Sequence, residues 1–280
     1  MKNRQRSLFE QYSAANRGLS DEAVVRALCE DLLDEGEVEP PVDVGLLASL
    51  RGIVRIRQSP QAPAGMLAKD GGQLTVTVRA TDGHERRRFT VLHEAGHTMF
   101  PGYLEVPRYR CKGPKDREEQ LCDIAASELL LPRRFLIPDL VEVGFGMGAV
   151  EQLASSYEAS IESTALRVTD LWPARAMLLV FSVCHKPIEK GREASVEPKL
   201  RLNYAHSRGR WPFARRHKSV GENSPIGRAM RGEIVDEIGT LEEVLGSDEP
   251  LRITARRYGT DARVLALVTP VEQSRLLRAA

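Results

Sequence analysis

The chain has 280 residues, with 40 Lys or Arg against 39 Asp or Glu and a formal net charge of +1. A balance this close to neutrality excludes a protein that coats nucleic acid or an anionic membrane through bulk charge. At roughly 150 residues per domain the length suggests two domains, and no apolar run approaches the roughly 18 residues of a membrane span.

The N-terminus and the cysteines indicate the cellular compartment. The N-terminal residues are polar and contain no apolar segment of the kind that export signals carry. The cysteines show no CxxC spacing and are too sparse for a disulfide scaffold in a chain of this length. They are Cys29, Cys111, Cys122 and Cys184. We therefore expect a cytoplasmic protein with free thiols.

The first third of the chain contains an acidic segment, residues 20–39, with eight acids and one base. Its apolar residues fall at helical spacing, and Ser20 and Gly36 suit an N-cap and a helix end. We predict an amphipathic helix with a solvated acidic face. The later predictions in this third are a short helix at 44–50, a strand at 54–57, a loop or loose hairpin at 58–72 and a strand at Leu74–Val78.

Helical patterns continue through the middle of the chain and give way to strands near residue 173. Helices are predicted at 89–99, 117–131, 148–157 and 161–171, the second of them ending before Pro132. Beyond residue 173 we predict strands at 177–183, 199–204, 233–238, 251–257 and 263–269, with short helices near 225–231 and 241–245. This order favours an antiparallel sheet flanked by helices.

The sharpest motif is His93-Glu94-Ala95-Gly96-His97, an HExxH sequence inside a helical pattern. Histidines four residues apart lie on one helix face, where both imidazoles can bind one Zn²⁺. Glu94 then points toward the metal-bound water and can take its proton as general base. The alternative is a helix whose two histidines have only structural partners.

The predicted helix at 117–131 supplies a third ligand. Glu119 lies far enough after His97 for a turn and an antiparallel helix to present its carboxylate to the metal. Asp123, one turn later, can accept a hydrogen bond from the free nitrogen of a liganding histidine. Two alternatives stay open: an exposed acidic pair, or Glu118 or Asp116 as the ligand in place of Glu119.

These two segments resemble the ImmA/IrrE-type metallopeptidase family. The segment Arg88–His97 is similar to that family's FTxxHExGH core, and Glu119–Pro132 is similar to its ExxANxFAAxLLMP block. Both blocks occur in the family's order and spacing. In this chain Cys122-Asp123 stands where the family usually has Ala-Asn, and Ala125 stands where it usually has Phe.

The resemblance implies an α+β fold with a zincin-like peptidase domain. The length and the mixed α/β tail resemble the IrrE branch, found in radiation- and desiccation-tolerant bacteria. That branch implies a zinc-dependent, site-specific endopeptidase that cleaves a helix-turn-helix repressor and so derepresses DNA-damage response genes. Zinc is the expected cofactor, and manganese stays open as the working ion in the cell. The expected site is Glu94 as catalytic base, with His93, His97 and Glu119 on the metal and Asp123 behind a histidine.

The oxyanion of a peptidase needs a hydrogen-bond donor, and the sequence does not assign one. Tyr103, Tyr109 and His84 flank the HExxH motif, and each could equally be a surface or packing residue. The strand Leu74–Val78 could pair with an extended substrate segment or be an ordinary interior or capped edge strand.

The helix pair at 148–171 has a helix-turn-helix shape but a net charge of −3, which is unfavourable for the phosphates of DNA. We interpret this pair as scaffold that closes the peptidase core. The basic segment 201–220 interleaves arginines with Trp211 and Phe213. It could contact nucleic acid or an acidic protein surface, although a charged loop between strands is the simpler interpretation.

The tail loosely resembles a GAF-type sensor domain by its order of elements, which implies a small-molecule signal as a partner. The predicted domains are a zinc metallopeptidase-like domain at 1–132, a helix-turn-helix-like extension at 133–173 and a GAF-like domain at 174–280. A different class of function competes with this prediction: a DNA-binding or ligand-sensing transcriptional regulator in which the zinc site is structural or vestigial.

Overall fold

The computed structural model describes residues 6–105, 108–109 and 116–271. The chain forms two compact units. The N-terminal unit is Met1–Pro138 with Ala154–Ser160, and the C-terminal unit is Asp139–Leu153 with Ile161–Ala280. The expected mixture of helices and sheets is confirmed, whereas the three-domain division stays a prediction.

The N-terminal unit is built of helices around a four-stranded sheet. Its elements are α1 (Leu8–Ala15), α2 (Asp21–Glu35), α3 (Val44–Leu50), β1 (Ile53–Ser59), β2 (Gly65–Asp70), β3 (Gln73–Arg79), α4 (His84–His97), β4 (Arg108–Tyr109) and α5 (Arg117–Leu130). The helices α6 (Arg133–Val143) and α7 (Met147–Ser156) follow, and the division between the units falls within both of them.

The acidic segment folds as its pattern predicts. The side chain of Ser20 accepts a hydrogen bond from the backbone N–H of Ala23, and Gly36 follows the last helical residue. The buried residues of α2 form one apolar stripe, which packs the helix against α5. The helix predicted between Ser20 and Gly36 is therefore confirmed.

The four-stranded sheet has the order β1-β3-β2-β4. Strand β3 lies inside it, parallel to β1 and antiparallel to β2. Both edges of Leu74–Val78 are thus occupied, so this strand is an interior one and does not pair with a substrate. For segment 58–72 the sequence left two alternatives, a loop or a loose hairpin, and the structure shows a hairpin. The second half of the segment forms β2, which turns at Gly71-Gly72 and pairs with β3.

Two differences from the predicted helices have physical causes. Helix α4 starts at His84 rather than near residue 89, because the polar first turn follows an extended N-cap at Gly83 and carries no apolar signal. Helix α6 forms despite Pro138 inside it, where proline removes a backbone donor and usually ends a helix. Leu136 and Leu140, which are fully buried, provide the packing that outweighs this cost.

The core of the N-terminal unit lies between its sheet and two helices. Ile53, Leu67, Val76 and Val78 from the strands pack with Val91 and Ala95 of α4 and Ala48 of α3. Helix α4 therefore lies across the sheet with one face buried against β2 and β3. Helix α4 also packs against α3 and against α5, and the α4–α5 contact is the most extensive between helices in the described part of the unit.

The C-terminal unit contains a five-stranded antiparallel sheet, as predicted. Its elements are α8 (Ile161–Leu171), β5 (Ala176–Cys184), β6 (Lys199–Arg208), α9 (Pro225–Met230), β7 (Val235–Gly239), α10 (Glu242–Leu245), β8 (Leu251–Tyr258) and β9 (Arg263–Pro270). The strand order is β6-β5-β9-β8-β7. Helix α9 packs against β8 and α8 against β5 and β6. The first residues of the basic segment 201–220 belong to β6 rather than to a loop.

No helix in the described part of the chain combines the length and the apolar character that crossing a bilayer requires.

Candidate metal centre

The last two turns of α4 are buried and hold the HExxH residues. His93 and Glu94 are fully buried, and His97 is 1% exposed. The helix ends at Thr98, whose hydroxyl donates to the carbonyl of Ala95 at 2.6 Å. Arg51 in turn donates to the hydroxyl of Thr98 at 3.0 Å, so a cation lies where the helix dipole is negative. These contacts hold the end of α4 in place.

The glycine of the motif allows α5 to approach α4 closely. A Cβ at Gly96 would lie 3.2 Å from the Cβ of Ala125 and 3.3 Å from the Cα of Cys122. A larger side chain at residue 96 would therefore separate the two helices. The close approach brings the first turns of α5 alongside the two histidines.

The structure brings together the three residues that the sequence predicts as metal ligands. One potential ligand atom from each of His93, His97 and Glu119 lies within 4.8 Å of the other two. Nε2 of His93 is 3.3 Å from one carboxylate oxygen of Glu119, and Nε2 of His97 is 3.2 Å from the other. The imidazole centroids are 5.1 Å apart, with ring planes at 79°.

The second nitrogen of each imidazole contacts another carboxylate. Nδ1 of His93 is 3.0 Å from Asp123, and Nδ1 of His97 is 2.9 Å from Glu118. When the imidazole is neutral, an Nδ1–H that donates to a carboxylate leaves the lone pair of Nε2 available to a metal on the side of Glu119. This donor set is the one that zinc prefers, two imidazole nitrogens and a carboxylate oxygen supported by outer acceptors.

The three acids that the sequence left as alternative ligands have different contacts in the structure. Asp116 is the N-cap of α5 and accepts from the backbone N–H of Glu119 at 2.9 Å. Glu118 lies behind His97 on the Nδ1 side. Only Glu119, among these three, contacts the Nε2 atoms of both histidines.

Electrostatics couple these groups strongly. Burial alone would lower the pKa of His97, but its hydrogen bonds with Cys122, Glu118 and Glu119 outweigh burial and raise that pKa to about 12. Hydrogen bonds from His93 and His97 hold the pKa of Glu119 far below its usual range. Burial raises the pKa of the Cys122 thiol to about 11. The carboxylates of the cluster thus favour positive charge among them. A bound divalent cation would also supply that charge.

Glu94 lies against the backbone of β2. A Cβ at Gly65 would be 2.2 Å from a carboxylate oxygen of Glu94 and 2.6 Å from a methyl carbon of Thr90. Only glycine leaves room for the glutamate at this point of the strand. Gly65 was not among the residues predicted from the sequence, although a glycine at the start of a strand is the signal of a close approach.

The three residues considered as oxyanion donors receive no such role from their contacts. His84 is exposed and lies 3.2 Å from Glu158. Tyr103 is partly buried against the hydrophobic core of the N-terminal unit. The side chain of Tyr109 lies outside the described part of the structure. The donor stays unassigned.

Comparison with known proteins adds a family and a fold. Residues 53–169 match the family of IrrE N-terminal-like domains. The radiation response metalloprotease IrrE of Deinococcus radiodurans is 29% identical over 105 residues, which are 36% of this chain and 31% of that protein. The match therefore spans about a third of the length of this curated relative.

A solved structure resembles the chain over most of its length. It is described as a Mycobacterium tuberculosis transcriptional regulator, with a TM-score of 0.58 and 11% sequence identity over 96% of this chain and 82% of that one. At this identity the likeness concerns the fold alone. Residues 53–169, which contain both the HExxH motif and α5, therefore resemble an ImmA/IrrE-type metallopeptidase domain.

Proposed function

We propose that the protein is a zinc-dependent endopeptidase that cleaves a helix-turn-helix transcriptional repressor and so derepresses DNA-damage response genes. The observation that carries the proposal is the cluster in which Nε2 of His93 and Nε2 of His97 face the two oxygens of Glu119. The description of the curated relative as a radiation response metalloprotease supports the link to DNA damage.

In this proposal His93, His97 and Glu119 hold the metal. A bound zinc ion would supply a Lewis acid that polarises the scissile carbonyl and lowers the pKa of water. Asp123 and Glu118 hold the imidazoles in the tautomer and orientation that binding needs. Manganese stays a second possible ion, because histidine and carboxylate ligands accept both metals.

Glu94 is the general base of the proposed reaction. It follows His93 directly on the buried face of α4, and its carboxylate is confined by the backbone at Gly65. In this position it takes a proton from the attacking water and passes it to the leaving amine of the substrate. Burial shields this carboxylate from bulk water.

The finer domain assignments are part of the same proposal. We assign a zincin-like peptidase domain to residues 1–132, a helix-turn-helix-like extension to 133–173 and a GAF-like sensor domain, with a small-molecule signal, to 174–280. The antiparallel sheet of the C-terminal unit supports the last assignment. A cytoplasmic location accords with a repressor as substrate and stays a prediction.

The helix pair α7 and α8 is unsuited to reading DNA. Thr164, Ala165, Arg167, Val168 and Thr169 of α8 are all buried. The single cation of the pair is among them, so α8 has no exposed arginine or lysine for phosphates or bases. These facts favour scaffold over direct DNA binding.

Cleavage of a candidate repressor tests the proposal. The parent protein, incubated with helix-turn-helix repressors, should release two fragments whose masses sum to the substrate plus water, and a zinc chelator should prevent this. Glu94→Gln should lower the cleavage rate at least 100-fold while the protein still binds zinc. Glu85→Gln, which alters an exposed acid on the same helix, is the matched control and should cleave at the parent rate.

The same variants distinguish a peptidase from the alternative function, a transcriptional regulator. A regulator with a structural zinc site would retain operator binding in Glu94→Gln and would show no cleavage in the parent. Cleavage by Glu94→Gln at the parent rate would contradict the assigned base.

A further inference from the structure

We infer that a cavity in the C-terminal unit is a binding site for a small planar aromatic anion. The cavity has a volume of about 640 Å³, within the range of roughly 300–1,000 Å³ that small-molecule sites occupy. Met177, Ala205 and Ser207 from the paired strands β5 and β6 line one side, and the segment 209–216 lines the other. The location of the site rests on the proposed sensor role of this unit, whereas the ligand class rests on the side chains that line the cavity.

An ordered aromatic ring forms part of the wall. The indole N–H of Trp211 donates to the carbonyl of Arg208 at 3.0 Å. The guanidinium of Arg175 lies 4.6 Å from the Trp211 ring centroid and is itself held by Glu249 at 3.0 Å. These contacts hold the Trp211 ring in place before any ligand binds. A ligand that stacks on the ring therefore pays a lower entropic cost.

Two arginines at the cavity have no neutralising partner in the described part of the chain. Neither Arg210 nor Arg216 has an ion-pair or side-chain hydrogen-bond partner within residues 6–105, 108–109 and 116–271. Elsewhere in this unit arginines commonly pair with carboxylates, as Arg252 does with Asp236 and Arg263 does with Glu162. Among the described residues no acidic side chain lines the cavity, so its potential is positive and favours an anion.

The ligand class follows from combining these features. Guanidinium groups bind carboxylates and phosphates through paired N–H donors. Trp211, together with Phe213, whose side chain lines the cavity and is 83% exposed, offers flat apolar surface. A ligand that uses both features has an aromatic ring and a carboxylate or phosphate close to it. A single-stranded nucleic acid has the same groups, but a cavity of about 640 Å³ has the size of one small molecule rather than of a strand.

Isothermal titration calorimetry of the full chain tests the inference with two probes. Adenosine 5′-monophosphate presents a phosphate, and 2-naphthoate presents a carboxylate; either one that binds identifies the head group. Whichever probe binds should do so at least tenfold more tightly than its neutral counterpart, adenosine or 2-naphthylmethanol, and than inorganic phosphate alone.

Variants locate the site without touching the metal centre. The double substitution Arg210→Gln with Arg216→Gln should weaken binding at least tenfold, and Phe213→Ala should weaken it severalfold. Lys218→Gln, an exposed cation of the same basic segment that does not line the cavity, is the matched control and should bind as the parent does. Circular dichroism melting of each variant verifies the fold.

Three results would overturn the inference: neither probe binds, the double variant binds as tightly as the parent, or a single-stranded oligonucleotide binds more than tenfold tighter than adenosine 5′-monophosphate. Binding is measured without any substrate. A chain that binds a probe but cleaves no repressor therefore contradicts the proposed peptidase function and not the cavity.

Discussion

The backbone of β2 at Gly65 lies in direct contact with the carboxylate of Glu94, so closely that a Cβ at residue 65 would overlap that carboxylate. Strand β2 and helix α4 are thus closely packed at Glu94, the proposed base. The position of the glutamate depends on the absence of a side chain in a neighbouring strand, and this contact can be tested separately from the metal ligands.

Gly65→Ala should lower kcat/KM at least tenfold. The added methyl group forces the Glu94 carboxylate or β2 to move, and a displaced base transfers protons less efficiently. Overpacking should also lower the free energy of unfolding by about 1–3 kcal/mol. Zinc affinity should stay near the parent value, because the ligands lie on α4 and α5. Cleavage assays and zinc titrations of the same preparations measure both quantities.

Gly83→Ser is the matched control for this change. A Cβ at Gly83 meets nothing nearer than 3.4 Å, and serine is a good residue for the N-cap that Gly83 forms. Gly83→Ser should therefore keep parent activity. If Gly65→Ala also retained the parent kcat/KM, the contact with Glu94 would have no role in catalysis.

Asp123→Ala should weaken zinc binding by about 10–100-fold, because His93 loses the acceptor that orients its ring. Asp123→Asn should recover most of this affinity, since its amide oxygen can accept the same hydrogen bond. Competition with a chromophoric chelator measures both constants. An Asp123→Asn affinity as low as that of Asp123→Ala would show that the negative charge, rather than the hydrogen bond, supports the metal.

The HExxH part of the site was predictable because it is local. Residues four apart share a helix face whatever the tertiary structure, so the pairing of His93 and His97 needs only the helix. Which of Asp116, Glu118 and Glu119 faces the two histidines could not be predicted from local sequence. It depends on how α5 is rotated against α4, and the close packing of the helices at Gly96 sets that rotation.

The contact between Gly65 and Glu94 could not be predicted from the sequence for a similar reason. The Gly-, Pro- and Ala-rich segment 58–72 has weak strand propensity, so its second half becomes a strand through pairing with β3. That pairing sets the register that puts Gly65 beside Glu94. In α6 the packing of Leu136 and Leu140 likewise outweighed the local signal of Pro138.

The stability of the C-terminal unit should depend on pH through His206. Its Nε2 lies 2.6 Å from the carboxylate of Asp170, and this hydrogen bond raises the pKa of His206 above its ordinary 6.5. A raised pKa means tighter proton binding in the folded state. The contact therefore stabilises the fold below pH 6.5 and ceases to do so as the pH rises through the raised value.

Urea unfolding at several pH values between 5.5 and 8.5 measures this contribution. Because the side chains of His206 and Asp170 are 37% and 49% exposed, water screens the pair and we expect less than about 1 kcal/mol. His206→Asn and Asp170→Asn should each remove the decline above pH 6.5. A parent profile that coincides with both variants would mean that the contact does not stabilise the folded state.

Gly96 of α4 should tolerate no larger residue. Replacing a helical glycine by alanine normally gains up to about 1 kcal/mol through helix propensity. At Gly96 the new methyl group meets the backbone of Cys122 and the side chain of Ala125, so α5 must shift and Glu119 with it. Gly96→Ala should therefore lose about 1 kcal/mol of unfolding free energy, Gly96→Leu about 3 kcal/mol, and both should bind zinc more weakly.

Gly148→Ala provides the contrast, since Gly148 is also helical but its added Cβ would meet only the end of the Arg256 side chain at 3.7 Å. There the gain in helix propensity should dominate and raise the free energy of unfolding. Guanidinium unfolding with and without zinc measures both series. If Gly96→Ala were as stabilising as Gly148→Ala and bound zinc equally well, helix α5 would not be held in place by its contact with Gly96. Glu119 would then have to be positioned by its own first turn, where Asp116 caps the helix.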